Sequence, residues 1–289
     1  MSFASPDDAQ SALRAESYLA DRSLAVSLYL ALTMRRPLLL EGEPGVGKTE
    51  VGRTHARALG AELIRLQCYE GIDASQALYE WDYARQLLYA RLLQSEDADP
   101  DATVDQLYGP RFLQERPVLA AVRAGARAVL LVDELDRADD EFEAFLLEAL
   151  SDSAVTIPEI GRVGSEDGSR PAVVITSNRT RELHDALKRR CLYHWIDYPD
   201  PVREAEIIRL RVPAASDRLA RSVATAVARL RGLDLVKPPG AAEAIDWAEA
   251  LAVLGEDELD EESARATIGW AVKSHDDQQA VEARIPELL

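Results

Sequence analysis

The stretch LLLEGEPGVGKTEVG, Leu38–Gly52, constrains the fold more than any other part of the chain. An apolar run enters it, and Gly42-Glu43-Pro44-Gly45-Val46-Gly47-Lys48-Thr49 fits G-x-x-x-x-G-K-[ST]. The residues that follow read as a helix over Thr49–Leu59 that stops at Gly60. Strand, glycine loop and helix in that order make a phosphate cradle. Glycines let the backbone curl so that its N–H groups face phosphate oxygens. Lys48 is expected to reach the β- and γ-phosphates, and Thr49 to offer its hydroxyl to Mg²⁺. Glu50 lies in the first turn of the same helix, whose positive end faces the anion.

A parallel α/β sheet is the fold in which such a loop occurs, and the first 200 residues carry its pattern. Apolar segments at Pro37–Leu40, Leu63–Gln67, Ala128–Val132, Ala172–Thr176 and Leu192–Ile196 alternate with helical stretches. This predicts five parallel strands with helices on both faces. After Tyr198 the texture changes at Pro199-Asp200-Pro201. Val202–Arg211, Ser216–Arg231, Ala241–Leu254 and Glu261–Lys273 then all show helical periodicity. The expected organisation is an α/β nucleotide-binding domain over 1–199 and a small all-α lid over 200–289.

Composition narrows the function classes. With 51 acidic and 33 basic residues the formal charge is −18, which argues against a nucleic-acid-binding surface. The acidic stretches Glu96–Asp105 and Glu256–Glu262 read as a solvated loop and a solvated helix start. Cys68 and Cys191 lack metal-ligand spacing and read as free thiols of a reducing compartment. His55, His184, His194 and His275 show no metal spacing, and the four tryptophans read as packing residues. The first residues lack a basic start and an apolar segment, and no run approaches the roughly 20 apolar residues of a membrane span. A cytoplasmic location is the expectation.

Hydrolysis needs more than a phosphate cradle, and two further strand ends supply candidates. Ala128–Val132 runs into Asp133-Glu134. Asp133 is placed to hold Mg²⁺ through its water shell, and Glu134 to polarise a water against the γ-phosphate. The strand Ala172–Thr176 leads through Ser177 to Asn178, whose neutral amide can bond both the γ-phosphate and that water. A helix over Glu182–Arg190 then ends in Lys188-Arg189-Arg190. Cations favour a helix C-terminus in any case, but Arg190, with Arg189 beside it, is also a candidate arginine finger acting on a neighbouring subunit's nucleotide.

Together these residues resemble the AAA+ ATPases, and within them the MoxR branch. EGEPGVGKTEV, LLVDELDRADDEFEAFLLEALSD, VTIPEIG and VVITSNRTRELHDALKRRC carry the likeness, with helices before the loop at Tyr18–Thr33. Ala154–Arg170 is similar to the pre-sensor β-hairpin of that branch, and QCYEGIDASQALYEW, Gln67–Trp81, to its insert after the second strand. The insert wording and DALKRRCLYHWIDYPDP are similar to the CoxD-like proteins, which are associated with maturing the molybdenum–copper centre of carbon monoxide dehydrogenase-type enzymes. The resemblance implies a ring, a hexamer by family habit, with ATP and Mg²⁺ at subunit interfaces. It also implies a partner with a von Willebrand factor A domain and a metalloenzyme client that the chain remodels or activates. One departure concerns the lid, where the branch usually sets an arginine near the start of a late helix. Here the corresponding stretch is Lys237-Pro238-Pro239-Gly240, and Lys237 is a point charge where a planar fork is the rule.

Two other classes are compatible with parts of the pattern. A nucleotide-gated scaffold would bind ATP and assemble with little turnover, against which Glu134, Arg189 and Arg190 count. A DNA-associated AAA+ ATPase would need a basic pore or an added DNA-binding domain, and acids outnumber bases from Asp200 onward.

Overall fold

The protein is described by a computed structural model that covers residues 2–92, 106–151 and 154–289. The acidic stretch Glu96–Asp105 lies outside the described residues. Two compact units emerge: Met1–Ala9, Arg22–Leu40 and Gly52–His194 form one, and Gln10–Asp21, Glu41–Val51 and Trp195–Leu289 the other. No helix among the described residues is long and apolar enough to cross a membrane.

In chain order the elements before the insert are α1 (Pro6–Ala15), α2 (Arg22–Met34), β1 (Leu38–Gly42), α3 (Lys48–Leu59) and β2 (Glu62–Gln67). Next come α4 (Ala74–Ala77), β3 (Tyr79–Trp81), α5 (Tyr83–Leu92), β4 (Leu113–Glu115), α6 (Pro117–Ala124) and β5 (Ala128–Asp133). Then follow α7 (Asp140–Ser151), β6 (Ala154–Ile157), β7 (Gly161–Gly164), β8 (Ala172–Ser177), α8 (Asp185–Arg190) and β9 (Leu192–Ile196). The five expected strands are β2, β5, β8, β1 and β9, in that spatial order in one parallel sheet.

Between β2 and β8, β5 is buried at all six positions, as a strand covered on both faces must be. Its residues alternate between the faces. Leu130 and Val132 join Leu39, Leu66 and Ile175 in a core closed by Val118, Phe142, Leu146 and Leu187. Leu131 points the other way, onto α3, so closely that a Cβ on Gly52 would stand 2.7 Å from its Cδ1. A smaller core of Trp81, Phe112, Leu119, Val155, Ile157 and Val163 lies under the insert and the hairpin. The hairpin expected in Ala154–Arg170 is the antiparallel pair β6–β7, with Ala154 opposite Gly164. The β3–β4 pair, Tyr79 opposite Glu115, is an addition that the sequence pattern does not announce.

The helical part of the second unit comprises α9 (Pro201–Arg211), α10 (Asp217–Arg231), α11 (Ala241–Leu254), α12 (Glu261–Thr267), α13 (His275–Glu282) and α14 (Ile285–Leu288). Caps fix the starts. Asp200 accepts the Arg203 N–H at 2.9 Å, with Pro201 in the first helical position, and Ser216 accepts the Leu219 N–H at 3.1 Å. Buried Leu219, Val223, Val227 and Leu230 run down one side of α10 and pack on Trp247 and Leu251 of α11.

Two expected helices are shorter than their periodicity implied. The helix expected over Glu261–Lys273 ends at Thr267 and passes into a 3₁₀ turn, Ile268–Trp270. Trp247 donates its indole N–H to Thr267 Oγ1 at 2.7 Å, and Gly269 follows at once, so the chain is pinned where it is also weakest as a helix. The helix expected from Glu182 starts only at Asp185. Leu183 turns into the core, and the His184 N–H goes to the Glu143 carboxylate at 2.9 Å.

Candidate functional site

The phosphate loop belongs to the second unit. Gly45 and Gly47 take φ of +76° and +94°, values at which a side chain would be strained. Lys48 is buried, 6% exposed, and its Nζ donates to the Gly42 and Glu43 carbonyls at 2.7 Å each. Val51 N–H returns to the Gly47 carbonyl at 3.1 Å, which starts α3 directly from the loop. Val46 is buried beneath the loop, Thr49 and Glu50 are half-buried, and Glu43 and Pro44 are exposed. Arg211 of α9 pairs with Glu50 at 3.4 Å.

The same unit brings the start of α11 against the loop. Ala242 N–H donates to the Gly45 carbonyl at 3.2 Å, and a Cβ added to Gly240 would stand 2.6 Å from Gly45 Cα. Glu243 reaches back to cap the Gly240 N–H at 2.9 Å. Here α11 presents a carboxylate and bare backbone. Lys237 is exposed, and its backbone N–H donates to Asp277 Oδ2 at 3.0 Å. At the end of α10, Arg231 forms a fork on Glu204, at 2.6 and 2.9 Å, and stacks 4.4 Å from the Tyr198 ring.

The acidic strand end belongs to the first unit. Asp133 is 1% exposed. Thr176 donates its hydroxyl to Asp133 Oδ1 at 2.6 Å and accepts the Glu134 N–H at 2.9 Å. Arg65 donates to Asp133 Oδ2 from Nε at 3.0 Å and from Nη2 at 2.6 Å. Parallel register places Gln67 opposite Asp133, and the Gln67 amide donates to Glu134 Oε2 at 3.2 Å. Arg137 reaches the same oxygen at 3.2 Å. Glu134 itself sits at φ 56°, ψ 50°. For a residue with a side chain this left-handed conformation costs on the order of 1 kcal/mol.

Asn178 follows β8 and is half-buried. Its backbone N–H donates to buried Asp136 at 3.1 Å, and Asp136 also accepts the Thr180 N–H at 2.9 Å and hydroxyl at 2.7 Å. Asp136 thus shapes the turn that carries Asn178. Arg189 and Arg190 are both exposed at the end of α8. The sequence pattern gave no sign of Arg65, Gln67, Asp136 or Thr176. Their partners depend on strand register, although the third acid in DELD was a usable hint.

The donor types suit a magnesium nucleotide. A glycine loop opening directly into a helix, with a buried lysine, offers N–H groups and one cation to phosphate. A threonine hydroxyl and an aspartate are hard oxygen donors of the kind magnesium takes.

Comparison with known proteins places the chain in a family. The family described as AAA domain (dynein-related subfamily) matches residues 37–191. Protein NorQ of Paracoccus denitrificans (strain Pd 1222) is 26% identical over 204 residues, which are 68% of this chain and 65% of that protein. The chain thus spans just under two thirds of that relative's length. Two variants of RuvB from Thermotoga maritima share the fold, each 18% identical, with TM-scores of 0.51 and 0.50. Each match covers 95% of this chain and 73% of the other. The chain belongs to the dynein-related subfamily of AAA domains, the MoxR-type AAA+ ATPases.

Proposed function

We propose that this ATPase is a remodelling machine that assists maturation of a metalloenzyme, working as a ring of identical subunits. The reading rests most on the end of β5, where one threonine hydroxyl fixes both Asp133 and the backbone of Glu134. ATP supplies the phosphoanhydride bond, and magnesium offsets the charge of its phosphates. In this proposal the N–H groups of Gly42–Gly47 and the Lys48 ammonium bind phosphate oxygens. Thr49 holds magnesium directly and Asp133 holds it through water. Glu134 orients a water and takes its proton, and the Asn178 amide aligns the same water. Arg190, with Arg189 beside it, reaches the nucleotide of the adjacent subunit. Residues 1–199 form the nucleotide-binding domain and 200–289 the lid.

The finer assignment comes from the resemblance to the CoxD-like branch. It specifies a molybdenum–copper carbon monoxide dehydrogenase type of client, a partner with a von Willebrand factor A domain, a hexameric ring and a cytoplasmic location. A second reading is a nucleotide-gated scaffold with little turnover. The hydrogen bonds that occupy both carboxylates, Arg65 on Asp133 and Gln67 with Arg137 on Glu134, favour it.

Turnover and client are tested in sequence. Lys48→Ala should lose ATP affinity, whereas Glu134→Gln should bind ATP and hydrolyse it at least a hundredfold more slowly, at the low end of the ~10²–10⁴ contributed by a positioned base. Wild-type affinity in the first variant, or wild-type turnover in the second, refutes the assigned roles. Negligible turnover of the unmodified chain selects the scaffold. Glu134→Gln held with ATP is then used to capture proteins from native extract. A von Willebrand-type partner together with a molybdenum hydroxylase supports the client. Recovery of DNA-bound proteins instead discards it and leaves the ATPase.

A further inference from the structure

At the amino ends of β1 and β8, inside the first unit, lies a cavity of about 70 Å³. That is room for about five waters, at roughly 15 Å³ each. Its walls are aliphatic, with Leu28 and Val174 among them, and among the described residues no carboxylate lines it. Three arginines do: Arg35, Arg36 and Arg170. All three are exposed, and none forms an ion pair among the described residues, in a chain where acids outnumber bases by 51 to 33. His55 of α3 also lines the cavity, is 2% exposed, and buries its Nδ1 without a hydrogen-bond partner.

Each feature is costly unless something occupies the space. A buried ring nitrogen with no partner forfeits the bonds it had in water. Three arginines line one cavity, like charges repel, and among the described residues its wall holds no counter-charge. Arg35 adds a third oddity. It closes α2 at φ 53°, where its N–H goes to Leu32 at 3.2 Å and the Arg36 N–H to Ala31 at 3.0 Å. That is the helix-ending motif whose left-handed position glycine normally fills.

We propose that this cavity is a binding site for a small organic carboxylate, with its charge on the arginines and its compact apolar body against the aliphatic wall and the His55 ring. Guanidinium forks match carboxylate geometry, and apolar walls select a ligand with a hydrocarbon body over an inorganic anion. Burial holds the imidazole neutral down to about pH 4, so it adds a hydrogen-bonding partner and no fourth positive charge.

The test follows the His55 imidazole C–H resonances in histidine-labelled full-length protein during addition of isobutyrate, isobutyramide or inorganic phosphate. Isobutyrate should give a saturable shift with a dissociation constant of about 1 mM or below. The amide and phosphate should bind at least tenfold more weakly. Arg170→Ala should weaken isobutyrate at least tenfold. Arg35→Gly should do the same with a thermal midpoint no lower than wild type, because glycine suits the left-handed position. No saturable shift up to about 20 mM isobutyrate overturns the proposal. Equal binding of the amide overturns the role of charge, and equal binding of phosphate the role of the apolar wall. Unchanged affinity in a folded Arg35→Gly or Arg170→Ala variant overturns the arginine site.

Discussion

Acidification from pH 7.5 to 5 should remove about 2 kcal/mol of stability through His55 alone. Burial lowers this imidazole from 6.5 to about 4. In the unfolded chain the ring takes up its proton near pH 6.5, and in the folded chain it stays neutral until about 4. Between those values the unfolded state binds more protons, so stability is complete above about 6.5 and falls as pH drops towards 4. Across the whole window the difference is worth about 3 kcal/mol, of which about 2 appears by pH 5. Other acids and bases titrate in this range, so the measurement is a difference. Urea unfolding of wild type and His55→Leu is compared at both pH values, in buffers free of organic carboxylates. The gap between the two proteins should change by about 2 kcal/mol in favour of leucine at pH 5. That corresponds to roughly 0.7–1 M in urea midpoint at a slope of about 2–3 kcal/mol/M. Parallel curves for the two proteins would show that His55 titrates normally and that its burial does not exclude the charge.

Within the lid, Arg231→Met should destabilise by about 3–5 kcal/mol because it strands the fully buried Glu204, whose carboxyl burial already pushes up. Adding Glu204→Leu should recover most of that loss in thermal unfolding, and failure to do so would mean that packing rather than charge sets the cost. Gly240→Ala should cost about 1–3 kcal/mol and weaken ATP binding, since its new methyl group would meet Gly45 Cα at 2.6 Å. Wild-type melting and affinity would show that loop and helix separate without penalty. Mixing Arg190→Ala with Lys48→Ala subunits should restore part of the ATPase rate if Arg190 acts across subunits, and no recovery at any ratio counts against that role.

The sheet was legible because its strands are buried on both faces. Continuous runs such as AVLLV have no rival reading at that length, and the glycine loop fixed where β1 had to end. Polar residues on the same strands were not legible. Arg65 and Gln67 alternate with Ile64 and Leu66, and in sequence they read as a solvent face. Only the pairing of β2 with β5 turns them towards Asp133 and Glu134. The left-handed backbone of Glu134 was equally hidden, because nothing in VDEL distinguishes an ordinary strand end from a strained one. In the insert, β3 and β4 are three residues each and find each other across more than thirty residues, too short and too distant for a periodicity signal. Helix ends failed for a related reason. His184 and Thr267 are both captured by side chains remote in sequence, Glu143 and Trp247.

The approach of Gly45 to Gly240 gives the phosphate loop a fulcrum. At that point two glycine backbones approach closely, with the Glu243 carboxylate beside them, and the Ala242 N–H ties them together. Any displacement of the loop is therefore delivered to the root of α11 undamped. The 14 residues of α11 make an arm about 21 Å long, so a tilt of ~10° at its root swings the far end by about 3.6 Å. Side-chain contacts would turn a small motion into local repacking; bare glycines turn it into leverage.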